Sequence, residues 1–194
     1  MNRKAIIAII VAAIAVVAVI VGVNVAGNSS APPNAAPGAT SGASAAFSLL
    51  PVTTNPIHNT STAPGLSIVT AIAENNVDPS TRQPIADRLQ VTLKNTSSST
   101  LTGFETFYTM TDAATHTSES YYLPLTGLTL AAGATTDIYF DNQAGARHYA
   151  ENSYSIYRSS KNKVDFAIEV SAKGVAVAKG TAVKGAGTGE VVGG

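Results

Sequence analysis

Residues 5–23 (AIIAIIVAAIAVVAVIVGV) carry no charged or polar side chain, and Arg3 and Lys4 stand directly before them. Nineteen such residues at about 1.5 Å of helical rise cover roughly 28 Å, close to the ~30 Å hydrocarbon thickness of a bilayer. A helix that is apolar all round needs apolar surroundings on every side. The run therefore predicts a single transmembrane helix, with contact to lipid through residues 5–25 and a cytoplasmic stub and anchor over 1–26. Cationic residues beside a first apolar span stay on the cytoplasmic side, so the N-terminus is expected inside and everything after Val25 outside the cytoplasm. A cleaved signal peptide is the competing reading, because Val25-Ala26-Gly27 offers small residues for cleavage near Gly27. Its apolar region is usually shorter, about 7–15 residues. Both readings place the rest of the chain outside the cytoplasm.

The exported part must hold together without disulfides, since the chain has no cysteine. The same absence excludes a lipoprotein-type acylated cysteine. Charge sums to zero, with 12 Lys+Arg against 12 Asp+Glu, so no global field draws in nucleic acid and no nucleic-acid partner is expected. Residues 27–64 contain no Asp, Glu, Lys or Arg and are rich in Ala, Pro, Gly, Ser, Thr and Asn. That composition predicts a linker with a root-mean-square span of roughly 35 Å. Within it Phe47, Leu49, Leu50 and Val52 form an apolar island suited to docking on the domain. Asn28, Asn59 and Asn95 each open an N-glycosylation acceptor triplet.

Beyond the linker, alternation with period two replaces any helical period. Arg88-Leu89-Gln90-Val91-Thr92-Leu93-Lys94 puts Leu89, Val91 and Leu93 on one face and the polar residues on the other. Residues 163–171 repeat the pattern, with Val164, Phe166, Ile168 and Val170 inward and Lys163, Asp165, Glu169 and Ser171 outward. Further strands are expected at 66–73, 101–110, 120–125, 135–140 and 175–183, with turns between them. Residues 147–162 are less regular and fit a short helix or a wide crossover. The fold class is all-β: about seven antiparallel strands in two sheets packed face to face over 65–184, with a flexible tail at 185–194.

The stretch LQVTLKNTSSSTLTGFETFYTMTD, followed by LTLAAGATTDIYFDN and KVDFAIEVSAKG, resembles the immunoglobulin-like or fibronectin type III-like modules of membrane-anchored prokaryotic surface proteins. The resemblance covers roughly 66–184. It implies an extracellular spacer, assembly or adhesive module and carries over no site residues. A non-catalytic role in interaction, adhesion or envelope assembly follows, with an envelope protein or cell-wall polysaccharide as partner and no cofactor. The alternatives are a pilin-like filament subunit and a secreted carbohydrate-binding protein.

Tyr121, Tyr122, Tyr149, Tyr154 and Tyr157 fall in two segments, the second carrying Arg147 and Arg158. Aromatic rings beside cations suit sugars and anionic polymers, through stacking and charge-assisted hydrogen bonds. These seven residues are the candidate ligand face. The competing reading makes the tyrosines core, with one hydroxyl tying down a corner of the sandwich. Leu123-Pro124-Leu125-Thr126-Gly127 spells the sortase pentapeptide, but the domain continues after it, and a strand ended by Pro124 at a sheet edge explains it better. Enzyme motifs are missing; Asp112, His116 and Ser118 lie close in sequence at an expected hairpin tip without an oxyanion hole. The three histidines have no metal-ligand spacing. Asn75-Asn76-Val77-Asp78 and Asp141-Asn142 have too little acidic density for calcium and read as turns.

Overall fold

The computed structural model describes residues 49–75, 80–81 and 88–187. The expected anchor, most of the linker with Phe47, the segment 76–78 and the tail from 188 lie outside the described residues. Among those described, no helix is long and apolar enough to cross a membrane. The chain divides into two units, Met1–Ala43 and Ser44–Gly194, and the described residues all belong to the second.

Among the described residues of this unit there are eight strands and one helical turn, in the order β1 (Leu66–Ala73), β2 (Leu89–Asn95), β3 (Glu105–Asp112), β4 (Ser118–Pro124), β5 (Thr135–Phe140), β6 (His148–Tyr149), α1 (Ile156–Ser159), β7 (Val164–Ser171) and β8 (Ala178–Lys184). They form two four-stranded sheets, ordered β1-β2-β5-β6 and β4-β3-β7-β8. All pairings are antiparallel except β5 with β6, where Tyr139 lies opposite His148. The expected strands at 66–73 and 135–140 match β1 and β5 at both ends, and those at 88–94 and 163–171 match β2 and β7 to within a residue. The stretch 101–110 divides: Leu101 makes an isolated bridge to Leu130, and the strand proper starts at Glu105. The irregular 147–162 segment holds both β6 and α1.

Period-two burial explains why the sheets face each other. Leu89, Val91 and Leu93 of β2 and Ile138 and Phe140 of β5 point into one cluster with Tyr108 and Met110 of β3, Tyr121 and Leu123 of β4, and Phe166, Ile168 and Val170 of β7. The Tyr108 ring lies 5.5 Å from that of Phe140, a contact that crosses from one sheet to the other. Along one side, β1 and β8 come together without ladder bonds. A side chain at Gly180 would put its Cβ 2.8 Å from Ile68 Cγ2, so the absence of a side chain sets that close approach.

Residues 49–64 have the composition of a spacer, but they run as an extended segment fixed to the second sheet. Val52 N–H donates to the Ser120 carbonyl of edge strand β4 at 2.7 Å. Asn55 Nδ2 reaches Glu169 at 2.8 Å, and Ala176 N–H donates to the Ala63 carbonyl at 2.7 Å. Ser171 was expected to face solvent and is buried, 2 % exposed, because Asn59 of this segment lies against it.

Candidate functional site

The candidate ligand residues separate into a buried set and a surface set. In β4, Tyr121 and Tyr122 are neighbours and must point to opposite sides of the sheet. Tyr121 is fully buried; its ring stacks 5.6 Å from Tyr108, its hydroxyl donates to Glu119 at 2.7 Å and accepts from Asn152 at 3.0 Å. Burial, with the Glu119 carboxylate second, pushes its phenol well above the usual range. Burial does the same to Tyr108, reinforced by nearby Glu151, Tyr121 and Glu119.

Tyr157 and Arg158, in α1, are buried as well. The Tyr157 ring meets Phe166 edge-on at 5.2 Å, and its hydroxyl donates to the Glu74 carbonyl at 2.8 Å. That bond ties the crossover between the sheets to the end of β1. Arg158 forms an ion pair with Glu151, both side chains 5 % exposed. These three residues face protein, not solvent, so they do not belong to a ligand face. Removing either member of the Arg158–Glu151 pair would leave a buried charge.

Tyr122 sits on the outer side of the second sheet, where its hydroxyl donates to Glu105 at 2.8 Å and that bond pushes the pKa of the phenol up. Tyr154 is exposed on the loop before α1. Neither joins Arg147 and Tyr149, which line a groove of about 450 Å³ together with His148, Leu130 and the hydroxyl-bearing Thr126 and Thr136. Arg147 has φ +70°, a conformation that favours glycine. Its carbonyl nevertheless accepts the Tyr139 N–H at 2.9 Å, and its guanidinium donates to Thr136 Oγ1 at 2.9 Å. His148 stacks on Tyr139 at 4.9 Å and holds Asp141 through Nδ1 at 2.9 Å. Burial raises the Tyr149 phenol, opposed by Arg147. The threonine wall of this groove was not read from the sequence; Thr126 and Thr136 lie 21 and 11 residues before Arg147, and no local pattern joins them to it.

A second groove, of about 650 Å³, lies between the 56–61 part of the extended segment and the turn after β7, with His58, Glu105 and Lys173 among its walls. Asn59 lines this groove, and both described acceptor asparagines have structural work. Asn59 Nδ2 donates to Ser171 Oγ at 3.0 Å and to the carbonyls of Ala172 and Val175 at 3.2 and 2.8 Å. Asn95, fully buried, donates to the carbonyls of Ser99, Leu130 and Ala131 at 2.7, 2.9 and 3.0 Å. Asn28 lies outside the described residues.

The Asp112 carboxylate accepts from Ser160 Oγ at 2.6 Å, from Asn162 Nδ2 at 3.0 Å, and from the N–H groups of Ala114 and Thr115 at 2.9 Å. The Ser160 hydroxyl, then the Thr115 N–H and Asn162, hold it far below the usual carboxylate range. Ser118 pairs instead with the Thr111 hydroxyl, so Asp112, His116 and Ser118 are not strung together as a relay. The LPLTG stretch is half core: Leu123 and Leu125 are buried, Pro124 ends edge strand β4, and Gly127 turns at φ +81°. Asp141 accepts the N–H of Gln143 two residues on, the turn role expected of it, whereas Asn142 accepts the N–H of Glu151 nine residues on. Among the described residues no group of three or more His, Asp or Glu side chains is placed to hold a metal ion.

A scan against protein-family models gives no match, and a search of curated proteins gives none either.

Proposed function

We propose that this chain is a single-pass membrane protein, cytoplasmic at its N-terminus, that holds an immunoglobulin-like module outside the cell for non-catalytic interaction with an envelope protein or wall polysaccharide. The observation that carries the reading is the uncharged run 5–23 behind Arg3 and Lys4. Strand order supports the finer reading of the fold. β1, β2 and β5 in one sheet and β4, β3, β7 and β8 in the other follow the connectivity of a seven-stranded sandwich, with the two-residue β6 as an addition. Residues 49–64 belong to the module, held to it by Val52, Asn55, Asn59 and Ala63.

Fractionation of the full-length chain tests this. Membranes washed with alkaline carbonate should retain it, and protease added to intact cells should cut it between the membrane and the module. Recovery of intact chain in the soluble fraction without detergent overturns the proposal.

A further inference from the structure

We infer that the groove bounded by Thr126, Leu130, Thr136, Arg147, His148 and Tyr149 is a binding site for an acidic sugar residue of a glycan. The inference deepens the interaction reading and rests on it. Four observations converge on that ligand class. The volume, about 450 Å³, lies in the ~300–1,000 Å³ range of small-molecule sites. The walls carry two nitrogen bases and no carboxylate. His148 is matched by Asp141, whose side chain is 2 % exposed, whereas Arg147 pairs among the described residues only with the neutral hydroxyl of Thr136. The groove therefore has one cation whose planar fork is open to a carboxylate.

Next to that fork are the groups a sugar ring needs: threonine hydroxyls for its hydroxyls and the half-buried Tyr149 ring, packed 5.9 Å from Phe140, for its apolar face. The backbone supplies the last observation. At φ +70° glycine would be the easier residue, and the arginine is held there by the bond from Tyr139 N–H to its carbonyl. A strained position that presents a groove cation with no carboxylate partner among the described residues points to a use for that cation.

The test uses full-length chain in detergent micelles, titrated with trigalacturonate, with the neutral trisaccharide maltotriose, and with acetate and inorganic phosphate. Saturable binding of trigalacturonate, about tenfold or more tighter than of the other three, is expected. Arg147→Gly should lower that affinity about tenfold or more without lowering the melting temperature, because glycine accepts the backbone conformation. Arg147→Lys should keep part of it. Trigalacturonate that fails to saturate by about 10 mM, equal binding of acetate or phosphate, or unchanged binding in Arg147→Gly each overturns the site. Membrane fractionation is read separately, so loss of the sugar site leaves the anchor reading standing, and the converse holds too.

Discussion

Replacing Asn95 with Asp exchanges an NH₂ group for an oxygen of similar size, at a residue with no solvent exposure. The Oδ1 side is unaffected: it accepts the Ser97 N–H at 2.9 Å and the Ser97 hydroxyl at 2.7 Å. The other side changes sign. Where Nδ2 now donates to three carbonyls within 2.7–3.0 Å, a carboxylate oxygen would face three acceptors. The two N–H donors lost are worth about 1 kcal/mol each, and a buried carbonyl left unmatched adds about 1–3 kcal/mol. The ionised variant should be less stable by about 3–5 kcal/mol, a fall of roughly 10 °C or more in melting temperature. Repulsion from the carbonyls and desolvation raise the folded-state pKa of the new acid above its unfolded value of about 3.9. The folded variant then holds its proton more tightly, so stability is highest at low pH and is lost as pH rises from about 4 through the folded pKa. Asn95→Ala loses the same donors with no charge and should show no such slope relative to the parent. Urea denaturation of the three proteins at pH 4–8, followed by circular dichroism, reads both effects. If Asn95→Asp lies within about 1 kcal/mol of the parent at pH 7, or shares the pH dependence of Asn95→Ala, the clamp does not act as described.

Asp112 predicts the opposite sign. Its folded pKa is depressed, so its contribution is present above the unfolded value of about 3.9 and is lost as pH falls below it; denaturation midpoints at pH 2–5 should fall more steeply for the parent than for Asp112→Asn, and equal slopes refute the assignment. At the β1–β8 seam, Gly180→Val would push atoms into Ile68, whose Cγ2, Cδ1 and Cβ lie 2.8, 3.1 and 3.2 Å from the added Cβ. A loss of about 1–3 kcal/mol is expected, partly recovered by Ile68→Ala in the same chain; a double variant no more stable than Gly180→Val locates the strain elsewhere.

What could be read in advance was what a ladder imposes. Leu89, Val91 and Leu93, and Val164, Phe166, Ile168 and Val170, announce their strands because one face of each must be dry. The same parity could have separated Tyr121 from Tyr122, since Leu123 fixes the inward side two residues later. It was less use for Tyr157 and Arg158, which sit in a single helical turn whose facing is set by Phe166 and Glu151 across the fold. Docking of the extended segment was legible at its apolar start, where Leu49 packs on the core and Val52 bonds to β4; residues 53–64 hid for a different reason. The segment docks through amide side chains and scattered backbone bonds, and that kind of contact leaves no apolar period in the sequence. The candidate site was legible only as Arg147 and Tyr149; the threonine wall opposite depends on where the turn after β4 folds back.

The asparagines show how a cysteine-free module can pin loops of high sequence separation. Asn55, Asn59, Asn95 and Asn152 each accept at Oδ1 the N–H of the residue two positions on, at 2.9, 2.9, 2.9 and 2.8 Å. Each then extends Nδ2 to a partner elsewhere in the chain: Glu169, Ser171, Leu130 and Tyr121. The local turn restricts the side chain before the distant contact forms, so the distant bond costs less rotamer entropy than a free amide would lose. No single clip matches the ~2–4 kcal/mol of a disulfide, but four clips need no oxidising compartment and can form as the chain folds. The same geometry bears on two of the acceptor triplets. The nitrogen that would carry a glycan on Asn59 or Asn95 is already donating to three oxygens, so modification of the folded module there would have to break the clip that holds the neighbouring loop.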